Sequence, residues 1–394
     1  MSIRKAVHLT SVHPPGDVRV TWRECGSLAE AGYEVVLVAP PGAGGPGGTD
    51  RPARLPPGVR WREVPRAATR ARRILRTVPA VYRAARSEAP AIYHLHDPEL
   101  LPVGLLLRLR GHPVVYDVHE DAPRQMRAKP WIPGPLRPTV AVLTGAAERI
   151  AARWLSGIVV ANPVSVRRFP PATTVLVRNF PRVGPSPAEP PPYGERRPNV
   201  VYVGALSASR GLDVMLEVAR RLPGASGGGP GEGSGGASGA RLLLAGRFAP
   251  PSLEERARGT PGWERCEYMG WLPNPEVVRL LGTARVGLAL LRPTPAYREA
   301  YPTKMFEYML AAVPVVVSDF PLWRDVVEDA GCGVLVDPDR PEQAADAVNW
   351  LLEHGREAAE MGRRGRQAVL ERYNWAPEAR KLLDLYSALE GDAG

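Results

Sequence analysis

Short apolar runs of strand length alternate along this chain with segments of helical periodicity. This alternation is typical of parallel βαβ units, whose strands are buried on both faces and therefore read as nearly continuous apolar stretches. The predicted strands of the first half are KAVHLTS, YEVVLVA, GVRWREV, AIYHLH, PVVYDVH, GIVVAN and TTVLVRN. Those of the second half are NVVYVGAL, RLLLAGR, CEYMGW, RVGLALL, PVVVSD and CGVLVDP. The pattern predicts an α/β protein with two doubly wound parallel sheets.

Length and composition indicate more than one domain. A chain of 394 residues that is 44% hydrophobic exceeds what one core usually supports. We predict a first domain over residues 1–182, a stiff proline-rich linker over 183–198 and a second domain over 199–374. Residues 223–239 are Gly- and Ser-rich and too poor in apolar groups to pack, so we expect a disordered insertion there. Residues 375–394 have the pattern of an amphipathic end helix.

The first predicted helix follows the strand KAVHLTS. At helical spacing, Val18, Trp22, Cys25 and Ala29 fall on one apolar face, which we expect to pack on the sheet. Gly32 then fits a left-handed cap that ends the helix.

The formal net charge of +10 would attract phosphate-rich partners of any kind. No basic tail or aromatic-rich basic patch singles out nucleic acid, so we expect none as a partner. The three cysteines lack metal-ligand spacing and are expected to be buried thiols in a reducing compartment. No stretch approaches the roughly 20 apolar residues of a membrane span, and we expect a soluble, cytoplasmic protein.

The arginine-rich segment around Arg72 leaves two interpretations open. On a helical wheel, Arg72, Arg76 and Arg83 lie opposite aliphatic residues that include Ile74. A helix in weak peripheral contact with an anionic membrane has this pattern, and so does the solvated face of a helix on a soluble domain.

Two glutamates and a lysine lie close together in the segment EAYPTKMFE, which runs from Glu299 to Glu307 and into a predicted helix. A carboxylate can accept hydrogen bonds from two neighbouring sugar hydroxyls, whereas a helix N-terminus and the Lys304 ammonium attract phosphate. Together these groups suit a nucleotide-sugar. The same spacing also occurs by chance, and Lys304 with Glu307 is an ordinary i, i+3 helical pair, so the residues alone leave both interpretations open.

The segment VGALSASRGLD leaves a strand through small residues and enters a helix near Gly211. Backbone N–H groups and Arg210 can approach a phosphate there, although small residues also serve plain turn geometry. No GxGxxG follows the first strand, which argues against a nicotinamide dinucleotide as the ligand.

Polar side chains also follow strands of the first domain, where open α/β sheets bind ligands. The segment VVYDVHED places His119 and Glu120 just past one strand, and YHLHDPELLP places His96 and Asp97 past another. We interpret His96, Asp97 and Glu120 as candidate acceptor contacts. In the loop HPPGDVRV, the candidate acceptor or phosphate contacts are Gly16, Asp17 and Arg19.

Two patterns could be taken for metal sites. His94 and His96 lie on one face of their strand, but no third ligand is evident from the sequence. Asp337 and Asp339 form an Asp-x-Asp pair, yet the proline between them suits a structural turn. We therefore expect no metal.

The stretch from Arg292 to Val317, together with VYVGALSASRGLD, resembles the retaining GT-B glycosyltransferases of family 4. The resemblance extends over nearly the whole chain. It implies a GT-B fold, in which two doubly wound Rossmann-like domains face a central cleft and the last helix crosses back to the first domain.

In the family's terms, Glu307 would hold the ribose hydroxyls, and Arg210 with Lys304 would stabilise the departing diphosphate. Glu299 with its following backbone amides would orient the sugar, which His119 would contact from the other domain. Arg210 stands where the family usually has lysine, so the positive charge is retained on the wider guanidinium group of arginine. The nucleotide-sugar site is further assigned Gly204, Gly211, Thr303 and Arg247.

The resemblance implies a retaining, metal-independent transferase that moves a sugar from a nucleoside-diphosphate sugar to a hydroxyl of a small-molecule or glycan acceptor. We expect a UDP-linked donor, such as UDP-GlcNAc or UDP-glucose, and no cofactor. One alternative is a nucleotide-sugar epimerase of the same fold, which would need no acceptor. The other is a basic nucleic-acid-binding protein, which would be retained on DNA in a salt-sensitive manner.

Overall fold

The computed structural model describes residues 4–42, 54–88, 92–119, 121–129, 132–184, 188–224 and 239–391. Most of the predicted insertion at 223–239 lies outside these described residues, as does Glu120. The chain divides into two compact units, of which the first contains Met1–Arg182 and Trp375–Gly394 and the second contains Val183–Asn374.

The first unit is built on a seven-stranded sheet in which every strand pairs in parallel. Its strands are β1 (Lys5–Leu9), β2 (Glu34–Ala39), β3 (Val59–Glu63), β4 (Ile92–Leu95), β5 (Val114–Val118), β6 (Gly157–Val160) and β7 (Thr174–Leu176). Each lies inside one of the predicted strand segments; the inner strands are buried on both faces and are therefore apolar, whereas the edge strands β3 and β7 are only partly buried. The spatial order is β3-β2-β1-β4-β5-β6-β7.

Helices connect these strands, as parallel pairing requires. They are α1 (Gly26–Glu30), α2 (Arg70–Arg72), α3 (Val78–Ser87), α4 (Leu101–Arg108), α5 (Ala122–Ala128), α6 (Arg137–Ala152) and α7 (Pro163–Val166). Two π-helical segments precede α1 and α3, at Val18–Cys25 and Arg73–Thr77. Short 3₁₀ turns lie at Pro98–Leu100, Gly134–Leu136 and Pro171–Thr173.

The π-helical segment Val18–Cys25 corrects the predicted face of the first helix. Val18 and Trp22 are 57% and 36% exposed, whereas Val20 and Cys25 are buried. In a π-helix the hydrogen bonds run from i to i+5, so an α-helical spacing assigns side chains to the wrong face. The prediction for the end of this element is confirmed, because Gly32 has a left-handed φ of 87°.

The second unit contains a six-stranded, fully parallel sheet in the order β10-β9-β8-β11-β12-β13. Its strands are β8 (Val200–Val203), β9 (Leu242–Ala245), β10 (Cys266–Gly270), β11 (Val286–Ala289), β12 (Val315–Ser318) and β13 (Gly333–Val336). Its helices are α8 (Leu212–Arg220), α9 (Leu253–Arg258), α10 (Asn274–Thr283), α11 (Pro295–Arg298), α12 (Thr303–Leu310), α13 (Pro321–Ala330), α14 (Pro341–Glu353) and α15 (Gly355–Glu371). The predicted α/β class with two doubly wound sheets is confirmed.

The last helix, α16 (Trp375–Gly391), belongs to the first unit. Leu382 and Tyr386 are fully buried in the core beneath β1 and β2. The indole N–H of Trp375 donates to Ser27 Oγ at 2.8 Å, and its backbone N–H donates to the Pro181 carbonyl at 2.8 Å. Burial and hydrogen bonds therefore attach both the start and the middle of α16 to this domain.

The arginine-rich segment near Arg72 is divided among α2, the π-helical segment Arg73–Thr77 and α3, and its aliphatic side chains differ in exposure. Ile74 and its neighbour Leu75 are 55% and 75% exposed, while Val81 in α3 is fully buried. Within the described residues, no helix combines the length and hydropathy needed to cross a membrane. Peripheral membrane contact at this segment stays a prediction.

Both sheets reverse their strand order at one place, between β1 and β4 in the first and between β8 and β11 in the second. Chain connections leave in opposite directions at such a switch point, which opens a crevice outside the carboxyl ends of the strands. The fold therefore indicates where a ligand would bind in each unit.

We predict that α16 contributes directly to the stability of the first unit. Replacing the fully buried Leu382 with alanine should lower the free energy of unfolding by about 2–5 kcal/mol, because it deletes core methyl groups and leaves a cavity. The same change at the exposed Leu109 should cost at most about 0.5 kcal/mol. Urea denaturation of both variants, with hydrogen exchange of residues 375–391, measures the difference, and equal costs would contradict the docking of α16.

Candidate active site

The loop after β8 passes closely over the end of β11. Gly204 follows the strand with φ of 137°, and Gly211 caps α8 with a left-handed φ of 75°. A Cβ atom at Gly211 would lie 1.8 Å from the carbonyl oxygen of Leu290, so only glycine permits this approach. Helix α8 begins at Leu212, which confirms the predicted helix start and places its N-terminus at the switch point.

Lys304 brings a buried ammonium group to the same place. It lies in the first turn of α12 and is only 6% exposed. Its Nζ lies 3.9 Å from the ring centroid of Tyr202, a cation–π contact, and 3.0 Å from the position that a Cβ of Gly204 would occupy. Among the described residues this Nζ has no hydrogen-bond partner.

Arg210 supplies a second cation beside Lys304. Its Nη1 lies 3.4 Å from the same Cβ position of Gly204. Burial lowers the pKa of Lys304 well below its ordinary value of 10.5, and the Arg210 charge lowers it further, while Glu307 acts in the opposite direction. Two cations that converge beside a glycine and a helix N-terminus are an arrangement that can attract phosphate.

Helix α12 is fixed to the sheet by Tyr308, which is fully buried. The backbone N–H of Val203 donates to Tyr308 Oη at 2.9 Å, at the end of β8. Gly287 in β11 makes room for the ring, because a Cβ there would lie 2.5 Å from Tyr308 Cδ2. These contacts hold Lys304 and the half-buried Glu307 at defined positions past the strand ends.

Glu299 lies between α11 and α12, directly after Arg298, and is half-buried. The indole N–H of Trp323 donates to the Ala300 carbonyl at 2.7 Å and so anchors the segment that follows Glu299. Thr303 is the first residue of α12. Arg247 follows β9, is exposed, and lies with its guanidinium 5.7 Å from the Trp271 ring centroid.

The Asp-x-Asp pair forms a turn, as predicted. Asp337 Oδ1 accepts a hydrogen bond from the Asp339 N–H at 2.9 Å. Asp339 in turn accepts from Arg292 Nη1 at 2.8 Å, and the same guanidinium pairs with Asp213. Both carboxylates therefore have protein partners, although about half of each side chain is exposed.

In the first unit, the loop after β1 is organised by carboxylates. Asp17 accepts hydrogen bonds from the Val20 N–H at 2.9 Å and forms an ion pair with His13 at 3.1 Å. Asp97, after β4, accepts from Thr10 Oγ1 at 2.8 Å and from the Ser11 N–H at 2.7 Å. Gly16 leaves open space on this loop, with no atom within 4 Å of its Cβ position. Acceptor contacts by Gly16, Asp17 and Asp97 stay predictions.

Two candidate acceptor contacts need correction because their side chains are enclosed. Arg19 donates to both oxygens of Asp117 at 3.0 and 2.9 Å and to the Val177 carbonyl at 3.0 Å. His96 is buried with its Nε2 at 2.8 Å from His8 Nδ1 and its Nδ1 at 3.1 Å from His119 Nε2. Neither Arg19 nor His96 presents a polar group to a ligand in this conformation.

His119 has a different environment. Its side chain is 17% exposed, its ring stacks on His13 with centroids 4.7 Å apart, and its Nε2 lies 3.0 Å from Asp117 Oδ2. The carboxylate holds one ring nitrogen, while the exposed part of the ring follows the end of β5. A role of His119 in contacting the donor sugar stays a prediction.

Two further potential metal ligands, which were not predicted from the sequence, lie beside His94 and His96. Among the described residues, one group of His, Cys, Asp and Glu side chains is close enough to share a metal ion, and Glu24 and Asp117 complete it. The sequence contains a signal for each of these residues. Asp117 is a charge within the apolar run PVVYDVH, and Glu24 lies five residues after Arg19, which is the hydrogen-bond spacing of a π-helix.

Family comparisons agree with this geometry. Residues 189–368 match the family described as glycosyl transferases group 1, and residues 16–179 match the glycosyl transferase 4-like domain. The chain therefore belongs to the GT-B glycosyltransferases of family 4 type.

Relatives by sequence include a phosphatidyl-myo-inositol mannosyltransferase of Mycolicibacterium smegmatis, 24% identical over 382 residues that cover 92% of this chain and 88% of that protein. An alpha-maltose-1-phosphate synthase of the same organism is 27% identical over 207 residues, which cover 48% of each chain. Among solved structures, sucrose-phosphate synthase of Thermosynechococcus elongatus aligns with a TM-score of 0.72 at 18% identity, covering 99% of this chain and 100% of that one. HepE of Anabaena in complex with UDP-glucose aligns with a TM-score of 0.68 at 15% identity, covering 98% of this chain and 99% of that one.

The buried ammonium of Lys304 should destabilise the ligand-free protein. Because its pKa is lowered on folding, the unfolded chain binds more protons between the folded-state value and 10.5, so wild-type stability rises with pH across that window. Lys304→Met removes the unpartnered charge and should raise the free energy of unfolding at pH 7 by about 1 kcal/mol or more.

Urea denaturation of both proteins at pH 7 and pH 10 tests this prediction. The advantage of the methionine variant should be smaller at pH 10, because wild-type stability rises with pH across this window and the uncharged methionine adds no such dependence. A methionine variant that is less stable than wild type at both pH values would contradict it.

Proposed function

We propose that this protein transfers a sugar from a nucleoside-diphosphate sugar to a hydroxyl acceptor with retention of the anomeric configuration and without a metal at the diphosphate. The observation that carries the proposal is the unpartnered, buried Lys304 ammonium beside Arg210 at the N-terminus of α8. A diphosphate would supply a hydrogen-bonding anion to Lys304 Nζ, which has no hydrogen-bond partner among the described residues.

Each group near this site has a chemical task in the proposal. Negative charge grows on the diphosphate as the glycosidic bond breaks, and Arg210 and Lys304 stabilise it without reorganisation because both are already in place. Glu307, four residues from the start of α12, accepts hydrogen bonds from the ribose hydroxyls. Glu299 orients the sugar.

The relatives make a hexose donor the better-supported choice. The names of the full-length relatives specify mannosyl transfer, and a shorter match from Xanthomonas oryzae is named for GDP-mannose as donor. HepE, whose fold is similar, was solved with UDP-glucose. We therefore propose a UDP- or GDP-linked hexose as the donor. This proposal replaces the expectation of a UDP-linked donor such as UDP-GlcNAc or UDP-glucose.

A nucleotide and sugar panel tests the function. Thermal shifts with UDP, GDP and dTDP should identify one nucleotide that stabilises the protein by mass action. The matching sugars, tested with candidate hydroxyl acceptors, should give a product with the anomeric configuration of the donor, and brief EDTA treatment should leave the rate unchanged. An inverted product, or interconversion of donor sugars without acceptor, would contradict the proposed reaction.

We predict that Glu307 determines nucleotide affinity. Glu307→Ala should weaken binding of the free nucleotide by roughly 1.5–3 kcal/mol, about 10- to 150-fold, because charge-assisted hydrogen bonds to the ribose are lost. Titration calorimetry measures the change, and the exposed Glu255→Ala on α9 serves as a control with the same chemical deletion. Unchanged affinity in a folded Glu307→Ala variant would remove this residue from the site.

Arg210 and Lys304 should matter more to the transition state than to the bound substrate. Replacing either with methionine keeps most of the apolar stem and deletes the charge, so kcat should fall on the order of 100-fold or more, with a smaller change in donor affinity. The exposed Arg279→Met on α10 is a control for loss of a surface charge. Near-parental turnover by both variants would show that these cations do not act on the leaving group.

A further inference from the structure

A buried group of four potential metal ligands lies at the carboxyl end of the first sheet. Glu24 comes from the π-helical segment, His94 and His96 from β4 and the residue after it, and Asp117 from β5. One ligand atom from each side chain lies within 4.8 Å of the others. All four residues are buried, so this group is unlike the exposed acidic clusters that surfaces commonly carry.

Two of these side chains have polar atoms that no internal partner satisfies. His94 Nε2 and Glu24 Oε2 have no hydrogen-bond partner among the described residues, although both side chains are fully buried. Leaving such atoms unpaired in a protein interior is costly. An occupant that accepts a lone pair from each would remove that cost.

The opposite ring nitrogens of the two histidines are held by neighbours. His94 Nδ1 lies 2.9 Å from Tyr386 Oη, and His96 Nε2 lies 2.8 Å from His8 Nδ1. Histidines that bind metals usually have their second nitrogen fixed in this way, which sets the tautomer and the ring orientation. Tyr386 belongs to α16, so the last helix of the chain would support the site.

The charges of the group leave room for a cation. Arg19 contacts Asp117 at 2.9 Å and Glu24 Oε1 at 3.0 Å, and so offsets one of the two buried carboxylates. Glu24 Oε2 and Asp117 Oδ2 lie 3.9 and 3.4 Å from His96 Nδ1, and Asp117 Oδ2 also accepts a hydrogen bond from Arg19 Nε at 3.0 Å. One negative charge remains, and either a metal ion or a proton on Glu24 would compensate it. A proton on Glu24 would still leave His94 Nε2 without a partner.

We propose that Glu24, His94, His96 and Asp117 bind one divalent transition-metal ion of the zinc type. Imidazole and carboxylate ligands suit zinc and its neighbours, and a four-ligand closed site indicates a structural role. In a tetrahedral site, bonds of about 2.0–2.2 Å would place ligand atoms about 3.4 Å apart, so the group, now within 4.8 Å, would contract around the ion. The ion would join the π-helical segment to β4 and β5, and the proposed diphosphate site of the second unit does not depend on it.

Metal analysis of the full chain without an affinity tag tests this proposal. Protein produced with added Zn²⁺ and passed through a metal-free column should contain about one ion per chain by mass spectrometry. Glu24→Gln, which keeps the shape but removes the ligand charge, should lose it. Glu148→Gln is the matched control, because Glu148 is equally buried in the same unit but contacts Tyr116 and Arg168.

Two further measurements keep the test decisive if Glu24→Gln does not fold. Cobalt-substituted wild type should show the visible absorption of Co²⁺ in a site with nitrogen and oxygen ligands. Tyr386→Phe, which removes the hydroxyl beside His94, should weaken metal affinity about 10- to 100-fold. Folded wild type that contains no metal after supply of Zn²⁺ or Co²⁺ overturns the proposal, and so does a bound ion that all three variants retain equally.

Discussion

The proposed site in the second unit depends on one buried ammonium group, that of Lys304. Lys304 lies under the loop after β8, with an aromatic ring as its neighbour and no hydrogen-bond partner among the described residues. A charge in such a position is unfavourable until an anion arrives. The close approach at Gly211 and the anchoring of α12 by Tyr308 both serve to hold this charge in place.

The first unit uses buried charge differently. Arg19, Asp117 and Glu24 satisfy one another inside the domain, and four histidines surround them. This network reaches α16 through Tyr386, so the end of the chain contributes to the environment of His119 through His8 and His96. The second unit therefore contains a buried cation that has no hydrogen-bond partner among the described residues, whereas the first unit pairs most of its buried charges with one another.

Much of this fold could be predicted from sequence because strands buried on both faces require apolar runs, and all such runs became strands. Gly211 was also predictable, since a strand that turns at once into a helix needs a residue tolerant of positive φ. The buried face of the first helix could not be predicted, because nothing in the local sequence at Val18 and Trp22 distinguishes a π-helix from an α-helix. The prediction of Arg19 and His96 as acceptor contacts is wrong because position past a strand does not reveal whether Asp117 or His8 already binds the side chain.

Proton uptake on nucleotide binding tests the central role of Lys304 most directly. If the diphosphate becomes the partner of this ammonium, binding should restore its pKa toward the ordinary value of 10.5, and the complex should take up protons between about pH 8 and pH 10, where phosphate is already fully ionised. Titration calorimetry in two buffers of different ionisation enthalpy measures that uptake. The account predicts uptake by the wild type and none by Lys304→Met; equal values for the two proteins, or no uptake by the wild type, would contradict it.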